Sequence, residues 1–156
     1  PKFLYNYRPT SAQMPSEDFI IPFGKAKIRR PGSHITVVSY GTAVHWSLQA
    51  AEQLAAEGVD VEVIDLRSLA PWDKQRVFES VKRTGRCVVA HEDKKTAGFG
   101  GEIASTISEE LFRYLDAPVA RVGSKDTPVG FAKTLEAAIL LNVNDIVAAI
   151  RGTMTF

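Results

Sequence analysis

The apolar positions of this chain change period from one stretch to the next, and the changes mark out its elements. Short runs rich in β-branched residues fall at 35–40, 61–66, 86–90 and 119–122, each of strand length and each bounded by glycine, proline or charge. Between them the spacing becomes helical. Residues 43–57 carry Val44, Leu48, Ala51 and Leu54 or Ala55 on one side and stop at Gly58. After a turn at Pro71-Trp72, Asp73 caps a helix through Val77, Phe78 and Val81 that Gly85 ends. Residues 101–115 place Ile103, Ile107, Leu111 and Leu115 in one stripe, and Asn142 or Asn144 opens a last helix through Ile146, Val147 and Ile150. Residues 24–29 supply one further strand. Pro31-Gly32 follows it, and a turn so short joins antiparallel neighbours, so this first strand should run against the others. Strand and helix in regular succession predict an α/β fold, a three-layer α/β/α domain with a mostly parallel five-stranded sheet.

Composition narrows the class. A chain of 156 residues, 45% hydrophobic and 24% charged, makes one ordinary globular domain, which buries roughly 70% of its unfolded surface. Nineteen basic residues against eighteen acidic leave a net charge of +1, no field to steer nucleic acid or an anionic membrane, and the basic clusters at 25–30 and 82–86 read as solvated faces. No uninterrupted apolar run approaches the roughly 20 residues of a membrane span. Cys87 stands alone inside an apolar run, so no intrachain disulfide forms and a buried, inert thiol in a reducing compartment is expected. Residues 1–20, with three prolines by Asp18 and no helical period, read as an extended connector ahead of a domain at 21–156. The absence of an initiator methionine suggests a fragment or a processed chain.

A parallel sheet sets its chemistry along the carboxyl ends of its strands. Asp65 and Arg67 lie there on one strand, and His91 and Glu92 just past the end of another. Residues two apart share a face, so Asp65 and Arg67 can pair with each other or meet His91 across the strands. His91 beside carboxylates is either a general base or, more in keeping with a sheet edge, a hydrogen-bonded scaffold. Gly98-Phe99-Gly100-Gly101 looks like a dinucleotide fingerprint, but its spacing fails and its loop is too long. Small residues running on through Ala104, Ser105 and Ser108 instead let this helix approach a neighbouring backbone, with a face left for a partner. Trp72 is a lid over the core or an interface anchor. No Gly-Asp-Gly followed 25 to 30 residues later by Asn, no P-loop, no nucleophile elbow and no metal-ligand spacing occurs, so no catalytic, cofactor or metal residue is assigned.

Five strings carry a resemblance: PKFLY (1–5), IPFGKAKIRRPGSHITVVSYG (21–41), VEVIDLRSLAPWD (61–73), TGRCVVAHEDKKTAGFGGEIA (84–104) and LDAPVARVGSKDTPVGF (115–131). In this order they resemble the C-terminal, transketolase C-terminal-like domain of the β subunit of 2-oxo acid dehydrogenases, nearest the branched-chain 2-oxoisovalerate and pyruvate members. The resemblance implies a full enzyme that uses thiamine diphosphate and magnesium, bound between an α subunit and an upstream β domain and not by this fragment. It implies an α subunit, a second β subunit and a lipoyl acyltransferase as partners, with neither nucleic acid nor membrane. The compartment would be the cytoplasm, or the mitochondrial matrix in a eukaryote. Asp65, Arg67, Trp72, His91, Glu92, Gly98, Gly100, Gly101, Ala104, Ser108 and the terminal Phe156 are the interface or docking candidates. Gly130 stands where that family commonly has proline, which frees the loop after Asp126-Thr127-Pro128-Val129. The alternatives are a transketolase or deoxyxylulose-phosphate synthase domain, or a free-standing binding module of the same fold.

Overall fold

The computed structural model describes residue 4 and residues 15–156, so most of the expected connector lies outside the described residues. Five strands form one sheet: β1 (Lys27–Arg30), β2 (Ile35–Ser39), β3 (Val61–Asp65), β4 (Cys87–Lys94) and β5 (Ala120–Ser124), in the order β1-β3-β2-β4-β5. β1 pairs antiparallel with β3, and every other pairing is parallel. The expected orientation of the first strand holds, but its neighbour is not the strand that follows it. Gly32 explains the passage. The chain leaves β1 and crosses the start of β3 so closely that a Cβ on Gly32 would sit 2.3 Å from the backbone of Val61 and Glu62. Only a residue without a side chain makes that crossing, after which β2 enters on the far side of β3.

Among residues 15–156 there are five α-helices, α1 (Thr42–Ala55), α2 (Lys74–Thr84), α3 (Gly100–Leu111), α4 (Lys133–Ile139) and α5 (Val143–Met154), of which α1 and α5 cover one face of the sheet and α2 and α3 the other. Alternation along the strands assigns each residue a layer. Ile35 and Val37 of β2 and Val88 and Ala90 of β4 pack with Ala50, Leu54, Ile146 and Ile150 of α1 and α5. Val38, Ile64, Cys87 and Val89 face Val77, Val81, Ile103, Ile107 and Leu111 of α2 and α3. Each fully buried Val, Leu or Ile contributes about 1.5–3 kcal/mol, and these two clusters are what hold the layers together.

The helix signals worked as read. Asp73 accepts from the Arg76 N–H at 3.1 Å, Gly85 closes α2 at φ 66°, and Asn142 caps α5 in a capping box with Asp145. Two departures have physical causes. The stripe expected to continue to Leu115 tightens after Leu111 into a 3-10 turn (Phe112–Tyr114), and α4 went unread because its seven residues bury none of their side chains and so carry no periodic signal. Residues 133–154 are together apolar and long enough to match a membrane span by length and composition, but the chain breaks at Leu140-Leu141-Asn142 and packs α5 against α1. Within β3, Glu62 is buried among apolar neighbours. It accepts from Ser80 Oγ and from Arg83 Nη2 at 2.7 Å, while Thr36 Oγ1 meets Ser80 Oγ at 2.6 Å and Thr84 Oγ1 at 2.8 Å. Both carboxylate oxygens of Glu62 therefore have a partner, as burial requires.

Candidate functional site at the carboxyl edge of the sheet

The connection leaving β2 goes to β3 on one side, and the next one crosses back to β4 on the other. The crevice between the carboxyl ends of β2 and β4 is thus the point where the winding reverses, the position at which such sheets place ligands or partner contacts. His91 occupies it. β4 extends to Lys94, so His91 and Glu92 are strand residues rather than residues past the strand end. The imidazole is fully buried and stacks on Tyr40, with ring centroids 5.9 Å apart and planes 1° from parallel. Among the described residues neither ring nitrogen makes a hydrogen bond of good geometry, and the Asp93 backbone is the group nearest to supplying one.

What surrounds the ring explains the glycine cluster. A Cβ on Gly100 would lie 2.2 Å from His91 Cδ2 and Nε2, one on Gly98 2.7 Å from Cε1 and 2.1 Å from the Lys94 carbonyl, and one on Gly123 3.1 Å from Cε1. Three glycines, one in the loop after β4, one opening α3 and one in β5, make the room that the histidine fills. The close backbone approach expected of this cluster is found, and its purpose is to seat His91. Burial pushes the His91 pKa below the ordinary imidazole value, with Asp93 opposing and Arg121 adding to the effect. Burial, with help from Asp93, also pushes the Tyr40 phenol up to about 12. Both rings are uncharged at neutral pH. With its ring buried and packed against Gly98, Gly100 and Gly123, His91 ties the segments that carry these glycines together.

Asp65 and Arg67 meet each other but not His91, because β2 lies between β3 and β4 and Ser39 takes the intervening register position. The Arg67 N–H donates to Asp65 Oδ1 at 3.1 Å, and Arg29 Nη1 of β1 stands 3.7 Å from Asp65 Oδ2. Burial raises the Asp65 pKa against the backbone donor of Arg67 and the charges of Arg29, Arg67 and His45. The Arg67 guanidinium turns the other way, onto the Lys25 and Ala26 carbonyls. Trp72 is 8% exposed, packs edge-on against Phe78 at 6.2 Å and carries Lys74 Nζ 5.7 Å above its ring, the geometry of a lid. Glu92 is half-buried, and its Oε2 has no partner among the described residues.

On α3, Ala104 is buried in the domain's own core and Gly100 against His91, so the small residues do not form one free face. A Cβ on Gly101 would lie 3.3 Å from Arg121 Nη1, and Ser108 donates its hydroxyl to the Ala104 carbonyl at 2.8 Å. Phe156 is exposed, as are Phe23, Phe112, Val129 and Phe131. Gly130 does not loosen its loop, since its Cα packs where a Cβ would meet Leu135 Cβ at 2.6 Å. Two contributors escaped the reading of the sequence. Asp126 receives the Thr96 N–H at 3.1 Å and the Thr96 hydroxyl at 2.6 Å, tying the loop after β5 to the loop after β4, and these bonds hold its carboxyl below the usual range. Tyr40 was passed over as the end of a strand. The signal for both was their place at the carboxyl end of a strand.

A three-layer domain with this strand order, its glycine-lined switch point filled by a buried histidine, defines a class of α/β domain. The transketolase C-terminal domain family matches residues 24–146, and the chain belongs to it. The chain is similar to the pyruvate dehydrogenase E1 component subunit beta of Rhizobium meliloti, 43% identical over 87% of this chain and 30% of that protein. It is 38% identical to the 2-oxoisovalerate dehydrogenase subunit beta of Bacillus subtilis over 96% of this chain and 46% of that one. The mitochondrial 2-oxoisovalerate dehydrogenase subunit beta 2 of Arabidopsis thaliana is 42% identical over the whole chain and 42% of its own length. Among solved structures, a split-gene transketolase described as an inactive beta4 tetramer superposes with a TM-score of 0.77 at 32% identity, over 92% of this chain and 46% of that one. The chain thus spans less than half the length of these relatives.

Proposed function

We propose that this domain is the C-terminal part of the β subunit of a thiamine-diphosphate-dependent 2-oxo acid dehydrogenase acting on pyruvate or a branched-chain 2-oxo acid, and that within it the domain joins subunits. The observation that carries the reading is identity of 38–43% to such subunits over 87–100% of the chain. The geometry supports an assembling rather than a chemical role. Among the described residues no group of three or more His, Cys, Asp and Glu is placed to hold a metal ion, and the histidine at the switch point is walled in by glycine backbone. On this reading thiamine diphosphate and its magnesium, which supply decarboxylation of the 2-oxo acid, would be held between the α subunit and an upstream β domain rather than by these residues.

The exposed apolar side chains at Phe112, Val129, Phe131 and Phe156 suit protein partners: a second β subunit, an α subunit and, at the Phe156 end, the lipoyl acyltransferase. The compartment would be the cytoplasm, or the mitochondrial matrix in a eukaryote. The test is a chimera. Residues 21–156 replace the matching part of the Bacillus subtilis 2-oxoisovalerate dehydrogenase β subunit, co-expressed with its α subunit. The proposal expects co-purification and decarboxylation of branched-chain 2-oxo acid with an artificial electron acceptor, and titration of the unfused chain with thiamine diphosphate and magnesium to give no saturable heat. Saturable micromolar binding to the unfused chain, or a chimera that folds but leaves the α subunit behind, overturns it.

A further inference from the structure

Three side chains of the loop between β3 and α2 hold three successive residues of the segment that leads into β1. Ser68 Oγ accepts from the Gly24 N–H at 2.8 Å and donates to the Pro71 carbonyl at 3.0 Å. Arg67 donates from Nε to the Lys25 carbonyl at 3.0 Å and from Nη2 to the Ala26 carbonyl at 3.4 Å. Asp73 divides its carboxylate, Oδ1 capping α2 and Oδ2 accepting from the Ala26 N–H at 2.9 Å. A Cβ on Gly24, whose φ is 69°, would press on Pro71 Cγ at 3.3 Å. Arg67 takes part with its backbone at φ 59°, a conformation unfavourable for a residue with a long side chain.

We infer that this loop is a clasp that fixes the path by which the chain enters the domain, with Arg67 as its positioning residue. This goes beyond the subunit-joining role and does not depend on it. Every bond between the two segments joins a side chain of one to a main-chain group of the other, so beyond the glycine at 24 the clasp does not depend on which side chains the held segment carries. Because β1 is antiparallel to β3, the held segment lies at the carboxyl edge of the sheet. Whatever precedes Gly24 is delivered to the edge where Tyr40 and His91 stack. Arg67 holds carbonyls while Ser68 and Asp73 hold amides, so the two sets share no atom, and a clasp that acts as one unit must lose both together.

Amide hydrogen exchange on the full chain decides it. In Arg67→Gly the backbone conformation becomes easy while the side-chain hold is lost. The Gly24 and Ala26 amides, which Arg67 does not touch, should then exchange about tenfold faster, with Val37, Val63 and Val89 in the sheet unchanged as internal controls. Ser68→Ala, which leaves the backbone of residue 67 alone, should speed Ala26 as well as Gly24. Unchanged exchange at both amides in Arg67→Gly, or an effect of Ser68→Ala confined to Gly24, overturns the inference by showing independent contacts.

Discussion

His91 is the residue on which the local account turns, because its ring and three glycines occupy one space. Gly100→Ala places a methyl where the imidazole lies, and overpacking of this kind costs about 1–3 kcal/mol. His91→Ala empties the same space, so the double variant should be less destabilised than the sum of the singles, as chemical denaturation of all four proteins would show. Additivity would mean that the glycines answer to something else. The depressed His91 pKa gives a second expectation with a definite sign. The folded state holds the ring neutral, so the unfolded chain binds more protons between the depressed folded value and the ordinary value of 6.5. Stability should therefore fall as the pH is lowered through that window. His45, also lowered by burial and by Arg29, contributes to the same slope. Urea midpoints against pH should accordingly be shallower, not flat, in His91→Gln than in the parent, and an identical slope would count against the buried neutral ring. That a histidine and a glycine cluster lie near the sheet edge was legible in the sequence. That one exists to seat the other was not, since Gly123 is 32 residues from His91 and only the pairing of β4 with β5 brings them together.

At the scale of elements, periodicity located every strand and the long helices, because each buries a face and so shows a stripe. Caps located their ends with equal success. Asn142 accepts from the Asn144 N–H at 2.9 Å and the Asp145 N–H at 3.4 Å, and Asp145 Oδ2 returns the bond to the Asn142 N–H at 2.9 Å. Asn142→Ala removes the cap and should lower stability by about 1 kcal/mol, read as a drop in Tm. No change would indicate that α5 is held by its packing on α1 alone. The order of the strands was the part that periodicity could not supply. Pro31-Gly32 has the composition of a hairpin turn, and only the packing of Gly32 against β3, so close that a Cβ would lie 2.3 Å from its backbone, reveals a crossing. Periodicity accordingly leaves Asp65 open between Arg67 and His91, and the strand order, which gives it β1 and β2 as neighbours, decides for Arg67.

The whole molecule presents a complete core and an incomplete surface. Two apolar clusters fill both faces of the sheet, yet Phe112, Phe131 and Phe156 are each more than 70% exposed. On the proposed subunit-joining reading, these open aromatics are where another chain packs. Ala104, once a candidate for that surface, belongs to the domain's own core, so a bulky residue there would disturb the fold before any interface. Phe131, wholly exposed on the loop after β5, is the cleaner probe. A domain that joins subunits should associate through such residues even when studied alone. Sedimentation equilibrium of the full chain from low to high micromolar concentration, beside a Phe131→Asp variant with an unchanged circular dichroism spectrum, tests this most directly. The account predicts reversible association of the parent that the variant weakens at least several-fold. A parent that stays monomeric at every concentration would contradict it.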